Sequence, residues 1–151
     1  HGIPFHHVPV TPDNKAAAYA EIQRIFEDVR GDSMVLARYM QVMSAEFCER
    51  WDTKVINIHH GFLPAFKGAK PYHQAWQKGV KLIGATGHFA TADLDQGPII
   101  YQDVITVADT CSVDEFIRMG KDVERTVIVE AVRRYLSHSI FLWQGRTFVI
   151  E

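Results

Sequence analysis

The chain is 151 residues long, 47% hydrophobic and 23% charged, a composition that supports one globular core of ordinary size. Its net charge of −2 comes without a basic run, which argues against a nucleic-acid-binding surface. No stretch reaches the ~18 continuous apolar residues of a membrane span, and the first residues lack the basic-then-apolar order of a signal peptide, so the chain reads as cytosolic.

In chain order, Ile3-Pro4-Phe5-His6-His7-Val8 reads as an opening strand. Thr11-Pro12-Asp13 is a helix-start signal, Ala18, Ile22, Ile25, Phe26 and Val29 keep one apolar stripe, and Gly31 stands at the C-cap position; together they predict a helix over 13–30. Met34-Val35-Leu36-Ala37 is short and uniformly apolar, as a buried parallel strand is. A loop over 38–43 leads to Ser44, the cap of a short helix through Glu49, and Lys54 to Ile58 forms the next buried strand. Residues 60–70 are loop, broken by Gly61, Pro64 and Gly68. A helix from Pro71 to Gly79 follows, then strands over 81–89 and 98–107. Ser112-Val113-Asp114-Glu115 has the Ser-x-x-Glu spacing of a capping box, and it starts a long helix with Phe116, Val123, Val127 and Leu136 among its apolar positions. The end, 140–143 and 147–150 around Gln144-Gly145-Arg146, reads as a hairpin. Cys48 and Cys111 fall in no metal or redox spacing and read as reduced thiols.

The expected class is therefore α/β, with a mostly parallel sheet, helices on both faces and a C-terminal hairpin. Only about three strands precede the loop-rich half, and the chain opens at His1 directly into an apolar segment. A fragment is the expectation, with the first strands of a nucleotide-fold sheet lying upstream.

Two polar side chains stand out at the carboxyl end of a buried strand, where ligands bind in open α/β sheets. Asn57 and His59 are two apart and so share one face. From spacing alone they are equally a catalytic pair or a core histidine tying down the next loop. Asp95, in Asp95-Gln96-Gly97, is by itself an ordinary turn residue. Zinc held by His59, His60, His73, His88 and Asp95 is a rival reading, but the spacing matches no compact ligand set, so no metal is expected.

Asn57-Ile58-His59-His60-Gly61-Phe62-Leu63-Pro64, Gly84-Ala85-Thr86-Gly87-His88-Phe89 and Leu94-Asp95-Gln96-Gly97-Pro98-Ile99-Ile100 resemble, in content and order, the folate-dependent formyltransferase family. His59-His60 before Phe62, where the glycinamide ribonucleotide transformylases typically have His-Pro, together with Gly68 to Ala75 and Gly120-Lys121-Asp122-Val123-Glu124, resemble its hydrolytic branch, the formyltetrahydrofolate deformylases. Gly61 departs from the family's usual Ser.

The resemblance implies a Rossmann-like formyltransferase fold. It places the family's catalytic Asn, His and Asp on Asn57, His59 and Asp95. It places folate contacts on Met40, Gln41, Val42 and Met43, on His60 and His88, and on Ala90 and Thr91; Gln41 is often Arg in relatives. The implied reaction is hydrolysis of 10-formyltetrahydrofolate to tetrahydrofolate and formate, in one-carbon and purine metabolism, without a prosthetic group. Asn57 and a protonated His59 would stabilise the formyl oxyanion, and Asp95 would hold the water while favouring the imidazolium. Formyl transfer to an amine such as glycinamide ribonucleotide is the alternative, and a non-catalytic folate-binding module the alternative of another class. The family's phosphate-binding Gly-rich loop lies outside this sequence. A cytoplasmic homo-oligomer with a small regulatory domain ahead of the catalytic one is also implied.

Overall fold

The computed structural model describes residues 2–60 and 71–150, so the loop expected over 60–70 lies outside the described residues apart from His60. The chain forms two compact units, one through Met34 and one from Val35 onward.

The first unit is built on helix α1 (Lys15–Asp28), which buries Ala18, Tyr19 and Phe26. Asn14 fastens the turn before it, accepting from the Thr11 amide at 2.7 Å and donating to the Pro9 carbonyl at 3.0 Å. The expected opening strand is not there. Residues 2–10 have no regular structure, and Ile3 and Phe5 are 78% and 87% exposed. An alternating pattern becomes a strand only when its backbone groups find a partner, and Pro4 and Pro9 remove two of the donors.

In the second unit, β1 (Met34–Leu36), β2 (Val55–His59), β3 (Leu82–Phe89) and β4 (Ile99–Thr106) form one sheet in the order β1-β2-β3-β4. Helix α2 (Ala45–Arg50) joins β1 to β2 and starts where expected, the Ser44 hydroxyl accepting from the Phe47 amide at 3.2 Å. Helix α3 (Pro71–Gln77) precedes β3. The α/β class stands, but β3 runs antiparallel to both of its neighbours, so the mostly parallel order does not extend to β3 and β4. The physical reason for the β3–β4 pair is the length of its connection: residues 90–98 are too few for the ~10–12 residues of a crossover.

Helix α4 (Val113–Leu136) covers this sheet and begins in a complete capping box, Ser112 accepting from the Glu115 amide while the Glu115 carboxylate accepts from the Ser112 amide. It buries Phe116, Gly120, Val123, Val127 and Ala131, with Ala85, Val123 and Val127 forming one core cluster. Leu136, expected in that stripe, is 60% exposed. At 3.6 residues per turn it lies about half a turn out of phase with Val127. The hairpin of β5 (Ile140–Trp143) and β6 (Arg146–Val149) closes the chain, its turn carrying Gln144 and Gly145 at positive φ. Both cysteines are free, and no helix among the described residues is long and apolar enough to cross a membrane.

Candidate active site

Strand β2 ends in Asn57-Ile58-His59, and pleating puts Asn57 and His59 on one face. Across the antiparallel ladder Asn57 faces His88, and His59 faces Thr86. Directly opposed residues hold their Cβ atoms ~5 Å apart, so the register of β2 on β3 brings His88 to Asn57.

Asp95 arrives from the loop between β3 and β4 and closes the group. Its Oδ2 is 3.0 Å from His59 Nδ1, and its Oδ1 accepts from Asn57 Nδ2 at 3.3 Å and lies 3.5 Å from His88 Nε2. Asn57 Nδ2 also lies 3.2 Å from His88 Nε2. Asp95 adopts φ 55°, a left-handed conformation that aspartate tolerates better than most side chains and that bends the carboxylate back over β2. Gly97 makes the bend possible: a Cβ there would lie 1.7 Å from the Phe89 carbonyl oxygen. The Asp-x-Gly turn is thus a device for seating a carboxylate on two strand residues.

These contacts fix the proton arrangement. The Phe89 carbonyl can only accept, so His88 Nδ1–H donates to it at 2.8 Å and leaves the Nε2 lone pair facing the Asn57 amide. Turning the Asn57 amide over would set its oxygen against the Asp95 carboxylate, so its NH2 faces both partners. His59 Nδ1–H donates to Asp95, which leaves the lone pair on Nε2. That atom is buried and has no hydrogen-bond partner among the described residues.

Burial is the largest influence on His59 and pushes it below the ordinary histidine value of 6.5; Asp95 opposes this, and His60 and His88 add to the lowering. Asp95 was expected to hold His59 as imidazolium. In the free site desolvation wins, because the ring is largely removed from water while the carboxylate offsets only part of that cost. A histidine whose folded value is depressed contributes stability above its unfolded value, and loses that contribution as pH falls below 6.5 and then through the lowered value.

The remaining expected residues surround this group differently. His60 stacks on His59, ring centroids 5.3 Å apart and planes 13° apart. The Ala90 amide donates to the Val55 carbonyl at 2.8 Å, closing the end of the sheet, and Thr91 Oγ1 donates to the Asp93 carbonyl at 2.9 Å inside the Asp95 loop. Met40, Gln41 and Val42 are exposed on the loop between β1 and α2, while Met43 is buried; none of the four is among the residues that close around Asp95. Among the described residues no three His, Cys, Asp or Glu side chains converge as a metal-holding group. Sequence reasoning set the Asp95 carboxylate near His59 but left open which ring nitrogen it meets, which is Nδ1.

Residues 2–132 match the family described as formyl transferase. This chain belongs to the formyl transferase family. A formyltetrahydrofolate deformylase from Synechocystis sp. is 48% identical over 148 residues, which cover 98% of this chain and 52% of that protein. One from Escherichia coli strain K12 is 50% identical over 119 residues, covering 79% of this chain and 42% of that protein. The chain spans about half the length of the curated relatives it matches. Among solved structures, a formyltetrahydrofolate deformylase from Burkholderia mallei superimposes with a TM-score of 0.94 at 48% identity over all of this chain and 54% of that one. A glycinamide ribonucleotide transformylase from Symbiobacterium toebii gives 0.82 at 28% identity, over 94% and 68%. The formyltransferase fold is thereby established for this formyl transferase family member.

Proposed function

We propose that the protein hydrolyses 10-formyltetrahydrofolate to tetrahydrofolate and formate, with His59 as general base. The observation that carries this reading is the buried His59 Nε2, without a hydrogen-bond partner among the described residues, on a ring whose Nδ1–H is held by Asp95. A neutral imidazole fixed in that tautomer is poised to take a proton, and the carboxylate behind it stabilises the imidazolium as it forms.

In the proposed reaction His59 Nε2 removes a proton from water as the water oxygen bonds to the formyl carbon. The carbonyl electron pair moves to the formyl oxygen, which accepts from Asn57 Nδ2; the long contacts of that amide to Asp95 and His88 can yield one N–H to it. The imidazolium then returns the proton to the departing folate nitrogen as the C–N bond breaks, releasing formic acid, which ionises to formate in water. Asp95 thus acts on the water through His59 instead of holding it directly. The scheme uses no prosthetic group.

The higher identity to the deformylases, 48% against 28% for the transformylase, supports hydrolysis over transfer. The test is incubation of the intact protein with 10-formyltetrahydrofolate and no amine acceptor. Stoichiometric formate is expected; loss of the formyl group only when an amine is added, with the formyl recovered on that amine and not as formate, would replace hydrolysis with transfer, and folate binding without turnover would leave a binding module. If His59 is the base, kcat/KM should fall on the acid side with a midpoint below 6.5, as its lowered value requires. An acid limb absent down to pH ~4 would remove His59 from that role.

A further inference from the structure

Helix α4 carries a slot that receives one side chain. Phe116, Gly120 and Glu124 follow one another at i, i+4 and i+8, on one stripe of the helix, and all three meet Tyr72 of α3. Phe116 meets the Tyr72 ring edge-to-face at 6.3 Å. Gly120 leaves the space the ring fills: a Cβ there would lie 2.2 Å from Tyr72 Cε1. The Glu124 carboxylate accepts the Tyr72 hydroxyl. Burial and this carboxylate both push the Tyr72 hydroxyl upward, against a smaller opposing pull from Arg38, so it stays protonated and remains a donor.

The ring so held is next to the catalytic group. His60 lies against Tyr72 at 6.2 Å between centroids, and His60 is the ring stacked on His59. A continuous series therefore runs from α4 through Tyr72 and His60 to the imidazole whose Nε2 faces the reaction. Among the described residues Asp95 holds that imidazole by hydrogen bonding at Nδ1 alone, and a single hydrogen bond does not fix the plane of a ring.

We propose that Tyr72, seated in the Phe116–Gly120–Glu124 slot, is a positioning residue that acts through His60 to hold the plane of the His59 imidazole. This rests on His59 being the base of the proposed hydrolysis, and it adds Tyr72, Gly120 and Glu124 to the residues that set the rate without touching substrate. It also gives the glycine inside a long helix a purpose, since glycine there is otherwise unfavourable. The charged and titratable groups facing the series are Asp95, His88 and His60 around His59, and Glu124 and Arg38 around Tyr72.

The test uses the intact protein and the substitutions Tyr72→Phe, Glu124→Ala, Gly120→Ala and Glu124→Gln, with two readouts. One is kcat and KM for formate release; the other is the NMR titration of the His59 ring, which needs no turnover. Tyr72→Phe, Glu124→Ala and Gly120→Ala are each expected to lower kcat about tenfold with KM within about twofold. The His59 midpoint should rise toward 6.5 as the loosened ring gains water. Glu124→Gln, which still accepts a hydrogen bond, should keep kcat within about threefold of the parent. An unchanged kcat and an unchanged His59 midpoint in Tyr72→Phe and Gly120→Ala would show that the slot only packs the helix, even if the melting temperature falls. If the parent protein releases no formate, the hydrolysis reading fails, and the His59 titration still decides whether the slot positions the ring.

Discussion

Replacing His59 with alanine is expected to lower kcat for formate release by roughly 10³-fold while leaving folate affinity within a few-fold, because the proposed mechanism loses its general base and its proton donor to the leaving nitrogen together. Asp95→Asn should fall nearly as far for a different reason. Asparagine also tolerates φ 55°, so the loop keeps its shape, but its amide NH2 can turn toward Nδ1 and select the wrong tautomer, leaving Nε2 protonated and unable to accept. Steady-state kinetics together with equilibrium binding of a non-hydrolysable folate separate the two terms. An Asp95→Asn variant with parental kcat would mean that Asp95 does not set the tautomer. Residual rates in the double variant close to those of either single variant would mark the pair as one unit.

Gly97→Ala is the second large effect. The added methyl would sit 1.7 Å from the Phe89 carbonyl oxygen, a backbone atom with no freedom to move away, because the Phe89 amide is itself bonded to the Pro98 carbonyl at 2.9 Å. The loop must therefore leave the end of β3, and Asp95 leaves with it. Overpacking of this kind costs about 2 to 3 kcal/mol of stability. The activity loss should approach that of Asp95→Asn, since the carboxylate is displaced even though it is still present. Denaturant unfolding and kcat on the same preparation test both parts. A variant that loses stability but keeps kcat would show that the Asp95 loop is held from elsewhere.

Local signals located the elements well where the chain itself supplies the determinant. The Ser112-x-x-Glu115 capping box and the Ser44 cap are satisfied within four residues of sequence and formed as expected. Signals that need a distant partner transferred less well. The apolar opening segment pairs with no strand among the described residues and is irregular, and β3 runs antiparallel where parallel order was expected. Leu136 looked like a core position by composition and faced out by phase.

The candidate site divides the same way. That Asn57 and His59 share a face follows from the period of a strand, and the sequence by itself was enough for it. The family blocks singled out Asp95, although its own turn looked ordinary. Tertiary structure alone decided what those residues do to one another. The β2–β3 register places His88 at Asn57, and the close approach that Gly97 permits brings the Asp95 carboxylate to His59 Nδ1. Desolvation of His59, a property of everything packed around it, outweighs the carboxylate beside it and lowers the ring below the ordinary histidine value. No local pattern encodes that balance, because burial is summed over atoms contributed by β2, β3, the Asp95 loop and His60, which come together only when the chain has folded.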